Sequence, residues 1–384
     1  MRRFPAVLAL EEGSVFRGTS FGAVGRAFGE VVFNTAMTGY QEVLTDPSYW
    51  GQLVVMTAPQ IGNTGVNFED PESSRAHVRG FIAREFCRRP SNHRATLSLD
   101  EYMQDQGVIG IHEIDTRALT RLIREKGCLR GVVASGPGVE LPAACEELVA
   151  AVRESPDLAR IDAVREVTST RSFEWHGEPN GSSDGRPDRA SSTASGPRIA
   201  VLDCGMKWNI LRQLHAAGAR PVVFPAMTPA SEILGASVAA LLITNGPGDP
   251  RTTSYAVDTV RGLLGKLPLR GICLGHQLLA LAAGAETFKL KFGHHGVNHP
   301  VQNLASGRIE ITSQNHNYAV DEASAIRAGF AVTHRNLFDG TVEGLRHHAL
   351  DVYCVQYHPE SAPGPHDSSY LWSEFLDTLS AKAF

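Results

Sequence analysis

The feature that constrains the fold most is an apolar stretch that contains one cysteine between two glycines. The residues GICLGHQ at 271–277 follow a strand-like apolar run and precede a second apolar run at 278–284. The pattern Gly-x-Cys-x-Gly is the cysteine counterpart of the nucleophile elbow, in which small flanking residues allow a tight turn between a strand and a helix. The sequence therefore predicts a strand, a sharp turn that exposes Cys273, and a helix.

A cysteine in this position is a candidate nucleophile. The first N–H groups of the following helix and its positive dipole end would favour the thiolate, which is the reactive form. The alternative is a buried structural cysteine, because free cysteine is among the most buried residue types. Cys204 also follows a predicted strand, but it lacks the small residue on its N-terminal side. We interpret Cys204 as structural.

A second motif supplies a possible base. The β-rich residues 352–357 are followed by His358, Pro359 and Glu360. A thiol nucleophile needs a base within hydrogen-bond reach, and the base needs a third group that orients it. The sequence therefore predicts a catalytic set of Cys273, His358 and Glu360. The alternative is a surface turn with a solvated histidine and glutamate.

Composition restricts the class of protein. The chain has 384 residues, of which 42% are hydrophobic and 20% charged, as expected for a soluble protein of two or three domains. A net charge of −5 without a basic, aromatic-rich run argues against nucleic acid or a membrane as a partner. The apolar segment 6–10 is too short for a signal peptide, and the six cysteines have neither disulfide nor metal spacing. We expect a cytoplasmic protein with reduced thiols.

The two halves of the chain have different patterns. The first is β-rich, with predicted strands at 30–34 and 52–56, and its glycines do not form a phosphate-binding loop. From about residue 172 the composition becomes that of a low-complexity linker. The second half alternates strands and helices, which predicts an α/β fold with a doubly wound, mostly parallel sheet. Active sites of such sheets lie beyond the carboxyl ends of the strands.

Two further segments bear on the site. The residues NGPGDP at 245–250 follow a predicted strand, and their N–H groups, with that of Leu274, could form an oxyanion hole; the alternative is a simple tight turn. His294, His295 and His299 have no cysteine or carboxylate at ligand spacing, so we interpret them as loop histidines and predict no metal site.

Taken together, three separated motifs resemble the class I (triad) glutamine amidotransferases. They are GICLGHQ at 271–277, NGPGDP at 245–250 and HPE at 358–360. Segments of the first half resemble the small subunit of carbamoyl phosphate synthetase, as does FGHHGVNHP at 292–300. The first-half segments are FNTAMTGYQEVLTDPSY at 33–49, QIGNTG at 60–65 and IDTRALT at 114–120.

The resemblance implies roles for individual residues. Cys273 would attack the side-chain amide of L-glutamine, His358 would transfer the proton to ammonia, Glu360 would orient His358, and a γ-glutamyl thioester would form. Eight residues would bind glutamine: Ser48, Gly246, Gly248, Leu274, Gln277, Asn315, Asn317 and Tyr318. The family commonly has glycine and phenylalanine where Asn317 and Tyr318 stand. Asparagine tolerates a left-handed backbone better than other non-glycine residues.

The resemblance also implies a domain organisation and a partner. Residues 1–155 would form an N-terminal domain that docks the partner and contributes to the glutamine site, 156–197 a connecting segment, and 198–384 the amidotransferase domain. This chain would need no cofactor of its own. A large synthetase subunit would bind ATP and Mg, receive ammonia through the protein interior, and make carbamoyl phosphate for arginine and pyrimidine biosynthesis.

Three alternatives remain open. The chain could serve a different synthetase, such as one that makes anthranilate or guanylate, although the first 150 residues argue against this. It could be a stand-alone cysteine hydrolase of γ-glutamyl compounds. It could also be a binding subunit without catalytic activity, although the complete set of Cys273, His358 and Glu360 argues against it.

Overall fold

The first part of the chain forms a closed β-barrel. The computed structural model describes residues 3–177 and 196–380. Up to residue 154 its elements are β1 (Pro5–Leu10), β2 (Val15–Gly22), β3 (Arg26–Asn34), α1 (Tyr40–Thr45), β4 (Gln52–Met56), β5 (Gln60–Ile61), β6 (Gly80–Ile82), β7 (Glu85–Phe86), α2 (Leu99–Asp105), β8 (Ile109–His112), α3 (Thr116–Lys126), β9 (Leu129–Ser135) and α4 (Pro142–Glu154). Seven strands close the barrel in the order β1-β2-β8-β6-β4-β3-β9.

Strand β1 is apolar on both of its faces because both are covered. Its side chains alternate between two clusters, as expected of a pleated strand. Leu8 and Leu10 pack with β3 and β4 residues such as Val31, whereas Val7 packs against α4. A strand that is covered on both faces has no polar face, which explains the uninterrupted apolar run near the N-terminus.

The second part of the chain forms one large sheet with helices on both faces. Its elements are β10 (Phe173–Glu174), β11 (Arg198–Asp203), α5 (Trp208–Ala216), β12 (Arg220–Pro225), α6 (Ala230–Gly235), β13 (Ala240–Ile243), α7 (Ser254–Leu263), β14 (Leu269–Ile272), α8 (Leu274–Ala282), β15 (Thr287–Asn303), β16 (Ile309–Val320), α9 (Glu322–Arg327), β17 (Phe330–Asn336), β18 (Val342–His347), β19 (Val352–Val355) and α10 (Tyr370–Ser380).

Parallel pairing is confined to the middle of this sheet. The strand order is β10-β12-β11-β13-β14-β19-β18-β17-β15-β16, and only the run from β12 to β19 is parallel. Helices α6, α7 and α8 cover one face and α5 and α10 the other, so the predicted α/β fold is confirmed. The predicted sheet was mostly parallel, whereas five of its nine strand pairings are antiparallel. Long hairpin strands such as β15 and β16 carry too many polar side chains to be recognised from an apolar run.

The predicted linker begins too early. Phe173 pairs with Val223 and Glu174 with Val222, so this pair of residues forms an edge strand of the sheet, and Trp175 is buried against it. Tryptophan and phenylalanine bury enough apolar area to hold a short segment in place. The rest of the low-complexity segment, 178–195, lies outside the described residues.

The barrel and the sheet pack directly against each other. The N–H of Thr35 in the barrel part donates to the carbonyl of His295 in β15 (3.2 Å), and the rings of Phe33 and Phe292 are 5.8 Å apart. This contact brings the loop after β3 to the carboxyl edge of the parallel strands. Among the described residues, no helix is both long and apolar enough to span a membrane.

Candidate active site

Cys273 lies in a strained turn between β14 and α8. Its backbone has φ 54° and ψ −104°, a combination that costs free energy for any residue with a Cβ atom. A Cβ atom on Gly275 would lie 2.2 Å from the carbonyl oxygen of Ile243, and one on Gly271 would lie 2.6 Å from Leu279. Both glycines are therefore required, because α8 packs directly against β13 and β14.

His358 is brought to the cysteine by the sheet. Strand β19 precedes His358 and pairs in parallel with β14, and the N–H of Cys273 donates to the carbonyl of Val355 (2.9 Å). Nδ1 of His358 lies 2.6 Å from Oε1 of Glu360, and all three predicted catalytic side chains are buried. Among the described residues Nε2 of His358 has no hydrogen-bond partner, which leaves it available to the cysteine thiol.

The electrostatics of the set favour a protonated imidazole. Burial lowers the pKa of His358, but the charges of Glu360 and Cys273 outweigh burial, so the pKa is raised above its ordinary value. Burial raises the pKa of Glu360, yet the charges of Lys207 and His358 prevail, so that pKa is lowered. The arrangement is therefore suited to a carboxylate that stabilises an imidazolium beside a sulfur atom.

A buried lysine lies behind the carboxylate. Nζ of Lys207 is 3.1 Å from Oε1 of Glu360 and also donates to the carbonyl of Ser361. Burial lowers the pKa of Lys207, but the charges of Glu360, Glu72 and Asp46 raise it above the ordinary value. These charges favour the cationic form of Lys207, which pairs with the same carboxylate that lies 2.6 Å from Nδ1 of His358.

Glu72 ties this lysine region to the barrel. Its backbone carbonyl accepts from the N–H of Trp208 (2.8 Å), and its carboxylate accepts from the N–H of Asn209 (3.0 Å) and lies 3.2 Å from Arg212. These N–H groups belong to the first turn of α5, where unpaired donors and the helix dipole favour a carboxylate. Burial outweighs these effects and raises the pKa of Glu72 to about 8. The barrel thus caps the helix that begins after Lys207.

A cavity opens in front of the sulfur atom. It is lined by Cys273 and by all of the residues that the sequence assigned to glutamine binding: Ser48, Gly246, Gly248, Leu274, Gln277, Asn315, Asn317 and Tyr318. The structure therefore brings these residues together in one place, with Ser48 coming from the barrel part. Their individual roles in binding stay predictions.

Asp46 fixes the position of two of these residues. Its Oδ1 accepts from the N–H of Ser48 (2.9 Å), and its Oδ2 accepts from Nδ2 of Asn315 (2.9 Å). Nδ2 of Asn245 also donates to Oγ of Ser48 (2.9 Å). The carbonyl of Asn315 is in turn 3.6 Å from Sγ of Cys273. A barrel carboxylate therefore organises the wall of the cavity next to the sulfur.

The residues where the chain differs from the family pattern are well accommodated. Nδ2 of Asn317 donates to Oε2 of Glu30 (2.7 Å), and its Oδ1 lies 2.9 Å from Nε2 of His295. The backbone carbonyl of Tyr318 accepts from Nε2 of Gln277 (2.8 Å). Gln277 therefore uses one amide hydrogen to hold the β16 backbone at the cavity wall.

Leu274 and Gly246 line the cavity in front of Cys273, where backbone N–H groups can stabilise an oxyanion. Leu274 is the first residue of α8, so its N–H has no partner one turn back in the helix. Gly246 approaches the same region so closely that a Cβ atom would lie 2.1 Å from the carbonyl of Cys204 and 2.8 Å from Leu274. Gly248 has φ +87°, which favours glycine.

The other cysteine and histidine candidates have structural surroundings. Cys204 is fully buried, and burial raises the pKa of its thiol well above the ordinary value, which is the opposite of what a nucleophile needs. The interpretation of His294, His295 and His299 as loop residues is wrong, because they lie within β15 and are buried. Their burial follows from the antiparallel half of the sheet, which the sequence did not reveal.

One group of side chains has donor atoms close enough for a metal ion. Single atoms of His294, His316 and Glu343 lie within 4.8 Å of one another. These groups already have protein partners: Nε2 of His294 is 2.8 Å from Asp339, and Oε2 of Glu343 accepts from Gln314 (3.0 Å). The expectation that this chain binds no metal stays a prediction.

Sequence reasoning missed Asp46, Glu72, Lys207 and Glu30. A signal existed for Lys207, which lies in the short connection between the end of β11 and the start of α5. The three carboxylates belong to the barrel part and meet the sheet only in the folded chain. No local pattern in the sequence indicates that contact.

Two protein-family models match the two parts of the chain, and relatives match it over nearly its full length. Residues 8–133 match the family described as carbamoyl-phosphate synthase small chain, CPSase domain, and residues 200–378 match glutamine amidotransferase class-I. A carbamoyl phosphate synthase small chain of Thermus thermophilus is 51% identical over 98% of this chain and 93% of its own length. The corresponding protein of Syntrophotalea carbinolica is 50% identical over 97% of both chains.

Proposed function

The chain belongs to the carbamoyl phosphate synthase small-chain family, a glutamine amidotransferase subunit of that ligase, and on this premise we propose how it works. It hydrolyses L-glutamine to glutamate and ammonia through a thioester on Cys273 and delivers the ammonia to a large synthetase subunit. The observation that carries the proposal is the strained Cys273 that faces a cavity beside the buried pair of His358 and Glu360.

In the first half-reaction the thiolate of Cys273 attacks the side-chain amide carbon of glutamine. A C–S bond forms, and the carbonyl oxygen becomes an oxyanion that accepts from the N–H groups of Leu274 and Gly246. The C–N bond then breaks, and the proton held on Nε2 of His358 goes to the departing nitrogen, so that ammonia leaves. The product is a γ-glutamyl thioester and a neutral imidazole.

In the second half-reaction His358 acts as a base. Its neutral imidazole takes a proton from a water molecule as the water attacks the thioester carbon. The C–S bond breaks and glutamate is released, with the proton returned to the pair of Cys273 and His358. Glu360, held by Lys207, stabilises the imidazolium each time it forms.

Ammonia needs an exit from the site. A small cavity of about 10 Å³ is lined by His358, Asp46 and Lys207 and also by the barrel residues Asn34 and Tyr49. This cavity therefore lies between the base and the barrel. We propose that ammonia passes this way before protonation and that the partner, which supplies ATP and Mg chemistry, uses it to make carbamoyl phosphate.

Two properties of the chain agree with this role. Its N-terminal part matches the small-chain family and not only the amidotransferase family, which favours carbamoyl phosphate over anthranilate or guanylate synthesis. All six cysteines are unpaired, which supports a location in the reducing cytoplasm.

Ammonia release by the chain and its Cys273→Ser variant tests the chemistry. We expect the substitution to reduce glutamine hydrolysis by at least roughly 10⁴-fold, because oxygen at this position is a far weaker nucleophile than a thiolate. Mass spectrometry of acid-quenched wild type should detect one added γ-glutamyl group on the peptide that contains Cys273. Equal hydrolysis by both proteins would contradict a thioester mechanism.

The same variant separates the catalytic role from a binding role. In a complex with the large subunit, Cys273→Ser should abolish synthesis from glutamine and retain synthesis from added ammonium. Unchanged synthesis from glutamine would favour a binding subunit without catalytic activity. Loss of both activities in a correctly assembled complex would show that the division of labour proposed here is wrong.

A further inference from the structure

The cavity in front of Cys273 is too small to admit an amino acid. Its volume is about 30 Å³. One water molecule needs about 10–15 Å³ on this scale, so the cavity has room for a few waters only. Cys273 itself is 2% exposed. A substrate of the size of glutamine can therefore reach the sulfur only after part of the cavity wall has moved.

A wider depression on the barrel surface adjoins this cavity. Its volume is about 630 Å³, and two residues line both spaces, Glu30 and Leu158. The side chain of Glu30 is buried within β3 and lies 2.5 Å from Nζ of Lys289. Glu30 is therefore held in a strand and in an ion pair. Leu158 is the part of the shared wall that is free to move.

Leu158 lies in a segment with few attachments to the rest of the fold. Residues 156–161 form a strap that contains one short 3-10 turn, Leu158–Arg160, in which no residue is buried. Among the described residues, the hydrogen bonds of the strap run within it or to the adjoining Ala163, as from the N–H of Ala159 to the carboxylate of Asp157 (3.0 Å). Segments with so few buried apolar contacts open at a low cost in free energy.

Both ends of the strap are fastened. At one end, Nη1 of Arg130 donates to the carbonyl of Ser155 (2.6 Å). At the other end, the hydroxyl of Tyr255 donates to Oδ1 of Asp162 (3.0 Å), and Val164 is fully buried. A segment that is fixed at both ends and unattached in the middle can move outward without disturbing the barrel or the sheet.

The side chain of Leu158 closes the strap against the barrel. A Cβ atom on Gly51 would lie 2.6 Å from Cδ1 of Leu158, and Gly51 has φ +83°, which favours glycine. The leucine therefore packs directly on bare backbone. Because this contact is apolar, no hydrogen bond has to break when Leu158 withdraws from it.

We propose that the strap opens at Leu158 to admit glutamine from the depression on the barrel surface and closes over it during hydrolysis. This inference rests on the glutaminase function proposed above and adds how the substrate reaches Cys273. The closed strap leaves room for a few waters at the sulfur, so it keeps bulk solvent from the thioester.

Alkylation of Cys273 measures access to the sulfur without depending on hydrolysis. N-phenylmaleimide is too large for the closed cavity, so its rate of reaction at Cys273 reports how often the strap is open. Mass spectrometry of the peptide that contains Cys273 follows this rate. We expect Leu158→Ala to raise it by roughly 10-fold, because the substitution removes the apolar contact that holds the strap closed.

Leu304→Ala is the matched control for this substitution. Leu304 is also partly exposed, but it lines neither the cavity nor the depression. Its substitution should leave the rate of alkylation at Cys273 unchanged. An equal increase in both variants would show a general loss of stability and overturn the role of Leu158.

Asp157→Ala loosens the strap without shortening Leu158. It removes the acceptor of the Ala159 N–H and should raise the alkylation rate by roughly 3- to 10-fold. Asp157→Asn should restore the wild-type rate, because asparagine can accept the same hydrogen bond. Rates that stay at the wild-type value in both Leu158→Ala and Asp157→Ala would overturn the strap and show that glutamine enters elsewhere.

Hydrogen exchange tests the closure and separates it from the proposed function. In Cys273→Ser that binds glutamine by calorimetry, the N–H of Ile161 should exchange at least about 3-fold more slowly with glutamine than without it. Unchanged exchange would contradict closure over the substrate. If wild type released no ammonia from glutamine, the proposed function would fail, and the maleimide rates would still decide whether the strap controls access to Cys273.

Discussion

The sheet and the barrel contribute different kinds of residues to the same site. Cys273, His358 and Glu360 all come from the carboxyl edge of parallel strands in the sheet. Asp46 and Glu72, which hold the residues around them, come from the barrel part. Reacting groups therefore come from one region, and much of what positions them comes from the other. The comparison implies that the site is complete only when both regions are packed together.

The largest expected loss of activity comes from substitutions of the catalytic residues that the sheet contributes. His358→Ala should lower kcat for glutamine hydrolysis by roughly 10⁴-fold or more, because it removes the group that moves the proton. Glu360→Ala should be roughly 10- to 100-fold less harmful, because orientation is lost but the base remains. Steady-state kinetics of the two variants checks the order. A larger loss in Glu360→Ala than in His358→Ala would contradict the roles assigned here.

The next largest effect is a loss of stability on substitution of Lys207, which lies where the barrel and the sheet meet. Lys207→Met removes a buried cation from between Glu360 and Glu72 and should lower the free energy of unfolding by about 3–5 kcal/mol. The matched control is Arg335→Met, which breaks a half-exposed pair with Glu322 and should cost no more than about 1 kcal/mol. Denaturant unfolding measures both. Equal costs would show that the buried lysine does not hold the junction.

A smaller effect is expected from a change confined to the elbow. Gly275→Ala places a methyl group 2.2 Å from the carbonyl of Ile243 and should cost about 1–3 kcal/mol of stability as α8 moves away from β13. Gly235→Ala is the control, because a Cβ atom on this exposed glycine at the end of α6 meets nothing within 4 Å. Thermal unfolding and ammonia release should both distinguish the two variants. A tolerated Gly275→Ala would contradict the close packing on which the elbow depends.

The smallest effect concerns the antiparallel part of the sheet, where His294 lies in β15. Burial lowers the pKa of His294, but hydrogen bonds to Asp339 and Glu343 outweigh it and raise the pKa to about 9. An imidazolium that is favoured by folding stabilises the protein below the unfolded pKa of about 6.5. That contribution is lost as the pH rises through about 9.

Asp339→Asn should therefore flatten this part of the pH profile. Thermal unfolding between about pH 6 and 10 should show a smaller decrease in Tm for the variant than for the wild type. Glutamine hydrolysis at pH 7 should change little, because Asp339 does not line the cavity. Parallel Tm profiles for the two proteins would contradict a stabilising charge on His294.

The comparison also explains what the sequence could predict. The alternation of strands and helices in the second half predicts its α/β fold. The elbow at Cys273 and the motif at His358 are local patterns that join small residues or a strand end to one reactive side chain, so the sequence also predicts the catalytic set. The antiparallel strands β15 and β16 were not predicted, because their buried histidines and asparagines read as loop residues. Asp46 and Glu72 were missed because their function depends on a contact between regions that lie far apart in the sequence.

The most direct measurement is ammonia release from glutamine with and without a large synthetase subunit, ATP and bicarbonate. The account predicts weak release by the chain alone, strong stimulation when the partner and its substrates are present, and no release by Cys273→Ser under either condition. Release that is high and independent of the partner would contradict a coupled subunit and favour a stand-alone hydrolase.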